Sequence, residues 1–296
     1  MLACVFGFVF GFWQYSQTLS DWQKGSTPKS SMIFSGLAEG NIPAIDEPRF
    51  ESVSDADQYL HNDGYGLLLT SEQETRFYPF QILVWHELVD DTWIGKPILV
   101  QYCPLCFSGH VFDRRLKGET LSFQVSDQRQ EYTTMIKDTS GSLWNPNTGQ
   151  CVSGKNKDGE LYPLVSQIVL WSQVKNVYPS ARVLSRKTGF VRDYTHDPYG
   201  DYLSDRNLYI VSDHKDSRLP AKEMVFGVSV DGVYKAYPKQ RLQQIKTITD
   251  TIGTNTITLE WNEALQTAKL ITQPGTITQT FWFHWANLYP STQLYP

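Results

Sequence analysis

Apolar and polar residues alternate in short runs along most of this chain, and the runs are broken by Gly, Pro, Asn and Asp. A period of two marks half-buried strands, so the pattern predicts a mainly β fold with a few short helices. Gly64 to Leu69 and Thr75 to Tyr78 read as the first two strands, joined by a polar turn over Ser71 to Glu74. The stretch from Tyr78 to Arg115, opening YPFQILVWHELVDD, reads as strand, short turn, strand, tight loop, strand. Leu121 to Val125 and Glu131 to Ile136 continue the series. Helical signals are few. Ser54-x-x-Asp57 is placed to cap a short helix ending near Leu60. Trp171 to Val177 suits another, stopped ahead of Pro179 because proline disfavours helical geometry in the residue before it. Near the C-terminus Phe281, Phe283 and Trp285 alternate with Trp282 and His284, the pattern of a strand covered on both faces.

The pattern also repeats. RFYPFQILVWHELVDDTWIGKPILVQY and KAYPKQRLQQIKTITDTIGTNTITLEW align at a shift of about 159 residues. Tyr78-Pro79 matches Tyr237-Pro238, Leu83 matches Leu242, and Asp91-Thr92 matches Asp250-Thr251. The offset slips by one at Gly95/Gly253 and recovers at Ile98/Ile257 and Tyr102/Trp261. An internally duplicated β-rich unit is predicted, with related halves at about 60–125 and 220–290 inside one compact domain of residues 36–296. The asymmetry between the copies points to a site. His86 corresponds to Ile245, and the Cys-x-x-Cys pair Cys103 and Cys106 has no counterpart in the second copy, which reads NEAL after Trp261.

Composition narrows the classes. With 41% hydrophobic and 19% charged residues, the 296-residue chain can bury a sizeable core and is neither disordered nor collagen-like. Its 16 Tyr, 15 Phe and 9 Trp strengthen the β reading. A net charge of -5, without a Lys/Arg stripe interleaved with aromatics, argues against nucleic acid as a partner. Residues 1–35 stand apart: the apolar run Leu2 to Trp13 precedes a polar linker. The run is shorter than the about 20 residues of a membrane helix and has no basic region ahead of it. A truncated export signal, a membrane-associated stretch and an ordinary buried segment are its three readings. The first of these makes the chain extracytoplasmic.

Four cysteines are too few to staple a chain of this length and are compatible with a thiol or metal site. Cys103 falls at a strand end, and Pro104 fixes its own φ and favours a rigid turn towards Cys106. With His86 the pair offers thiolates and an imidazole, a donor set suited to one copper or zinc ion. Dithiol–disulfide chemistry and a purely structural brace are the alternatives. The residues after Cys106, FSGHVFDR, read as strand, so no helix N-terminus lowers a thiol pKa there, which weakens the exchange account.

Glu87 and Asp91 are candidate acid–base groups. Against this, His86-Glu87 lies in an apolar segment that suits a buried hydrogen bond, and Asp91 has the repeat counterpart Asp250, which suits an Asx-type turn. His110 is a candidate fourth ligand. Arg114, Arg192 and His196 are candidates for an anion-binding wall, the last two in the loop GFVRDYTHDPYGDYLSD, and surface ion pairing explains them equally well. Cys151 stands alone and reads as a small hydrophobe. No G-x-G-x-x-G, Walker loop, H-E-x-x-H or G-x-S-x-G occurs, so no nucleotide cofactor is indicated. The expected partner is a small molecule of unknown identity.

The blocks NIPAIDEPRF, YPFQILVWHELVDDT, YCPLC…VFDR, SLWNPNTG, YPSARVLSRKTG and FWFHWANLYP, in this order from about Asn41 to Pro290, resemble the family called domain of unknown function 3179. The resemblance implies a bacterial or archaeal origin and frequent export, and it carries no reaction. Tyr78, Pro79, Trp85, His86, Glu87, Asp91, Cys103 and Cys106 keep the family's pattern. Phe107-Ser108-Gly109 replaces its usual Gly-Thr-Ala, Asp127 replaces a Gly, and Ile136-Lys137-Asp138 replaces Tyr-Asp-Arg. SLWNP likewise stands where the family has SLWSQ. Phe107 cannot take glycine-only geometry cheaply, so this loop is expected to sit differently. The reading carried forward is a metal-binding protein or oxidoreductase centred on Cys103, Cys106 and His86. Its alternative is a non-catalytic protein whose cysteines brace a loop.

Overall fold

Val, Leu, Ile and Tyr in the central runs are buried from both sides, and this places the core. The computed structural model describes residues 42–130, 133–210, 214–272 and 275–296. The apolar run Leu2 to Trp13, Cys4 and the linker of the N-terminal reading lie outside the described residues. The protein is mostly strand, with five short helices among the described residues. The first, Val53–Ala56 (α1), is capped by Ser52, whose hydroxyl accepts from the Asp55 amide, and so begins ahead of the expected Ser54.

A hairpin of Tyr65–Thr70 (β1) and Thr75–Pro79 (β2) leads through the one-turn helix Phe80–Leu83 (α2) into a meander. The meander runs Leu88–Trp93 (β3), Lys96–Cys103 (β4) and Ser108–Asp113 (β5). Alternation along β3 and β4 divides two packing layers. Val89, Ile98, Val100 and Tyr102 face the core that holds Leu67, Tyr78 and Phe80. Leu88, Leu99 and Phe112 face a second core with Phe123, Ile136 and Trp144. A strand covered on both faces reads as a continuous apolar run, which is why ILVQY shows no clean alternation. Phe123–Gln130 (β6) and Thr133–Asp138 (β7) form the hairpin that covers this second face.

Gln167–Leu170 (β8) pairs antiparallel with β1, and Trp171–Val177 (α3) then returns the chain to Arg182–Leu184 (β9), which pairs parallel with β2. The helix has the bounds the sequence predicts. The ring of Trp171 stacks on Phe77 at 5.5 Å. Burying an aromatic side chain of this size stabilises by roughly 2–3 kcal/mol.

The C-terminal part follows the same element order. Met224–Val230 (β10) and Val233–Pro238 (β11) form a hairpin, followed by Lys239–Ile245 (α4). The meander is Thr247–Ile252 (β12), Asn255–Asn262 (β13) and Thr267–Leu270 (β14). Thr276–Phe281 (β15) pairs antiparallel with β10, and Trp282–Leu288 (α5) leads to Gln293–Leu294 (β16), parallel to β11. The strand orders β9-β2-β1-β8 and β16-β11-β10-β15 therefore correspond, with the parallel pair at the same place. Side chains agree too: Tyr78 donates to Asp91 at 2.6 Å, and Tyr237 donates to Asp250 at 2.9 Å. Arg76 and Lys235 supply the cation to the respective carboxylate.

Two local expectations are corrected. Trp282–Leu288 is a helix and not a strand, because a segment apolar on every face carries no period and only Pro290 marks its end. Phe80–Leu83 is likewise helical where strand and turn were expected. Among the described residues no helix is long and apolar enough to cross a membrane.

Candidate functional site

The turn between β4 and β5 holds the Cys-x-x-Cys pair. Cys103 ends β4, Cys106 lies across the turn, and their sulfurs stand at disulfide distance. Phe107 follows with φ of 49°, the left-handed region that costs a non-glycine residue about 1–2 kcal/mol. Its ring offsets that cost by burying against Tyr65, Phe80 and Phe281, with centroids at 5.0–5.7 Å. Phe107 thus adopts a positive φ that glycine would take more readily. The adjacent Gly109 has a matching reason: a Cβ there would meet the Leu67 side chain at 2.8 Å.

The second half builds the same turn without sulfur. Gln266 has φ of 49°, and the Leu265 amide donates to Asn262 Oδ1 at 3.0 Å, closing Asn262 to Leu265 by a hydrogen bond where Cys103 and Cys106 are bonded. The position before each meander corresponds as well. Glu87 (φ 57°) and Lys246 (φ 70°) each offer a carbonyl to an aromatic residue's amide, Tyr102 at 2.9 Å and Trp261 at 2.7 Å. The strained backbone is common to both halves. What differs is a carboxyl at 87 and a disulfide four residues wide.

Those two differences share one pocket. Cys103, Glu87, Gln101, Arg129, Thr133 and Tyr199 are among its lining, and its free volume of about 20 Å³ holds a single water-sized group. Cys103 is partly exposed there, whereas Cys106 is fully buried. Burial pushes the Glu87 carboxyl up to about 7, against the Tyr199 hydroxyl and the Arg129 charge, both of which lower it. Tyr199 donates to Glu87 Oε1 at 3.4 Å. Gln101 is 3% exposed, and its Oε1 has no hydrogen-bond partner among the described residues.

A roof of tyrosines from the loop 186–210 covers this region. Tyr194 meets His86 Nε2 at 2.7 Å, Tyr199 reaches Glu87, and Tyr202 donates to the Leu105 carbonyl inside the disulfide turn at 2.8 Å. Lys222 holds Tyr202 from the other side, its Nζ 3.3 Å from the ring centroid. The second half grips the same turn: the Cys106 carbonyl accepts from Thr280 Oγ1 at 2.8 Å and from the Phe281 amide at 3.2 Å.

Several expected site residues are elsewhere. His86 is fully buried and spends both ring nitrogens on protein, Nδ1 on the Pro43 carbonyl at 2.8 Å and Nε2 on Tyr194. Burial, helped by Arg192 and opposed by the Pro43 carbonyl, pushes it down to about 4. The expected trio of Cys103, Cys106 and His86 is therefore not assembled. Among the described residues no group of three or more His, Cys, Asp and Glu is placed to hold a metal ion. Asp91 is not at the pocket; it is tied to Arg76, Tyr78 and the Thr92 amide. Asp90 and Asp91 are not turn residues either. They lie within β3 and face opposite ways, Asp90 accepting from the Phe123 amide at 3.0 Å with Arg114 at 3.7 Å.

The expected anion wall is divided for the same reason. Arg114 serves Asp90 and the Leu121 carbonyl, Arg192 lies near His86, and His196 offers its backbone carbonyl to Trp85. His110 pairs across the strands with Gln101 and is pushed down to about 4 by burial, near His284 of α5, itself at about 3. Of the expected site residues, the pocket brings Glu87 and Cys103 together, with Cys106 bonded behind. Gln101, Tyr199 and Tyr202 were missed. The tyrosine spacing in DYTHDPYGDYLSD was the available signal, since buried tyrosines in a polar loop must find hydroxyl partners.

Compared with known families, residues 39–276 match the one described as "Protein of unknown function (DUF3179)". The FWFHWANLYP block lies beyond the matched residues. No curated protein and no solved structure matches the chain.

Proposed function

Because the chain belongs to the DUF3179 family, whose description carries no reaction, we propose from its own geometry that Cys103–Cys106 is a redox-active disulfide that exchanges with thiols. The observation that carries this reading is the second half's turn, which keeps the same backbone with an Asn262 hydrogen bond and no sulfur. Covalent closure is therefore not demanded by the turn. Closing so short a loop stabilises by about 2 kcal/mol in chain-entropy terms, little for a brace.

The pocket supplies the direction of reaction. A thiolate reaching the partly exposed Cys103 sulfur at the pocket's edge attacks it, the S–S bond breaks, and Cys106 leaves with the electron pair. The Glu87 carboxyl, about half protonated at neutral pH, gives its proton to Cys106 and is recharged from solvent. A second thiol then attacks the mixed disulfide; the product is the oxidised thiol pair, and its proton ends on Cys103. The balance is two thiols oxidised for one disulfide reduced. An oxidising, extracytoplasmic setting is proposed with it, since disulfides persist there.

The brace reading has its own support in the bonds from Thr280, Phe281 and Tyr202 to the turn's carbonyls. Equilibration against glutathione and dithiothreitol buffers separates the two. A midpoint between about -270 and -180 mV favours exchange, and one below about -300 mV favours the brace. Elemental analysis of the reduced protein serves the metal-binding alternative: one equivalent of copper or zinc, lost in Cys103→Ser/Cys106→Ser, would favour it over both.

A further inference from the structure

The pocket beside Cys103 has about 20 Å³ of free volume, room for one water-sized guest next to a sulfur that is itself partly exposed. Its wall is largely apolar, with Leu88, Leu105, Ile136 and Pro146 in it, but Gln101, Thr133, Thr134 and Arg129 add polar groups. The Gln101 amide is the informative group. It is nine-tenths or more buried, its Oε1 has no partner among the described residues, and a buried polar atom left so costs about 1–3 kcal/mol. A guest of water size with both a donor and an acceptor meets that need. Arg129 also lines the pocket, and its charge acts on Glu87.

We propose that hydrogen peroxide is the oxidant of the reduced pair, with Cys103 the thiolate that attacks it and Cys106 the thiol that resolves the product. This rests on the redox reading of the disulfide. In the first step the Cys103 thiolate bonds to one peroxide oxygen, the O–O bond breaks, and the departing hydroxide takes a proton from Glu87 to leave as water. Cys103 is then a sulfenic acid. In the second step the Cys106 sulfur displaces that hydroxyl, the S–S bond forms, and the Cys106 proton leaves with the hydroxyl as a second water. One peroxide is reduced to two waters as two thiols become one disulfide. The four-residue turn keeps the resolving sulfur beside the sulfenic acid, so no large movement is required.

The test uses the full chain, reduced with dithiothreitol, desalted and mixed separately with hydrogen peroxide, tert-butyl hydroperoxide and hydroxyethyl disulfide. The remaining thiols are counted over time. Hydrogen peroxide is expected to close the pair at least about tenfold faster than tert-butyl hydroperoxide, which can meet the exposed sulfur but is too bulky to seat beside the Gln101 amide. In Cys106→Ser, dimedone is expected to label Cys103 after peroxide treatment, a readout that does not depend on closure. Equal rates for the two peroxides, or no dimedone adduct on Cys103, would overturn the proposal while closure by hydroxyethyl disulfide left the redox reading standing. A pair that no reductant opens would overturn both.

Discussion

Phe107 and Gln266 hold one backbone conformation, φ of 49° in each, and each follows a four-residue turn that ends a long strand. The side chains differ in what they return for that strain. Phe107 is 2% exposed and wedged among aromatic rings, whereas Gln266 is half-buried and bonds to the Glu263 carbonyl at 2.7 Å.

Glycine at these two positions is therefore expected to act with opposite signs. Gln266→Gly relieves the left-handed backbone at the loss of partly solvated hydrogen bonds and should stabilise by up to about 1 kcal/mol. Phe107→Gly relieves the same strain but removes a buried ring, and a net loss of about 2–3 kcal/mol is expected. Urea denaturation of the two variants checks this. A stabilised Phe107→Gly would show that the ring contributes little.

The closure of each turn can be compared in the same way. Asn262→Ala removes one hydrogen bond and should cost about 1 kcal/mol. Cys103→Ser/Cys106→Ser should cost about 2 kcal/mol. A loss above about 5 kcal/mol for the double variant would exceed the usual range for a disulfide and make Cys103–Cys106 chiefly a brace.

The two Asp–Tyr–cation groups should respond unequally. Arg76→Met leaves Asp91, at 7% exposure, as a buried charge with only Tyr78 and a backbone amide, and a loss of about 3–5 kcal/mol is expected. Lys235→Met leaves the more open Asp250 to water and should cost about 1 kcal/mol. Thermal or denaturant unfolding of both variants under one buffer decides it; equal losses would contradict the difference in burial.

Glu87 sets a pH dependence of known sign. Its folded-state carboxyl titrates at about 7, above the ordinary 4.5, so between these values the folded chain holds more protons than the unfolded one. Its contribution is present below about pH 4.5 and is lost as pH rises through about 7, by up to about 3 kcal/mol. Asp90, pushed up to about 6 by burial, acts in the same direction, so the comparison must be made against Glu87→Gln. The stability difference between wild type and Glu87→Gln should shift in favour of the variant as pH goes from 5 to about 8. A difference that stays flat across this window would mean that Glu87 titrates normally.

Much of the scaffold was legible in the chain itself, because period-two patterning and turn residues are local properties. The hairpin around Ser71, the helix Trp171–Val177 and the strand character after Cys106 follow from neighbouring residues alone. So does the offset that relates Tyr78 to Tyr237 and Asp91 to Asp250, and the absence of cysteines at its second end. The helix Trp282–Leu288 was not legible, since a segment buried on all sides loses the period that names its class. Nor were the partners of the polar groups. Adjacency in sequence joined His86 to Glu87 and Asp90 to Asp91, but strand alternation sends the aspartates to opposite faces. Contacts more than a hundred residues apart fix His86 on Tyr194 and Glu87 on Tyr199. Sequence determined where sulfur could matter; packing decided that a buried carboxyl, and not a histidine, stands beside it, because burial and hydrogen-bond satisfaction are settled only when distant segments meet.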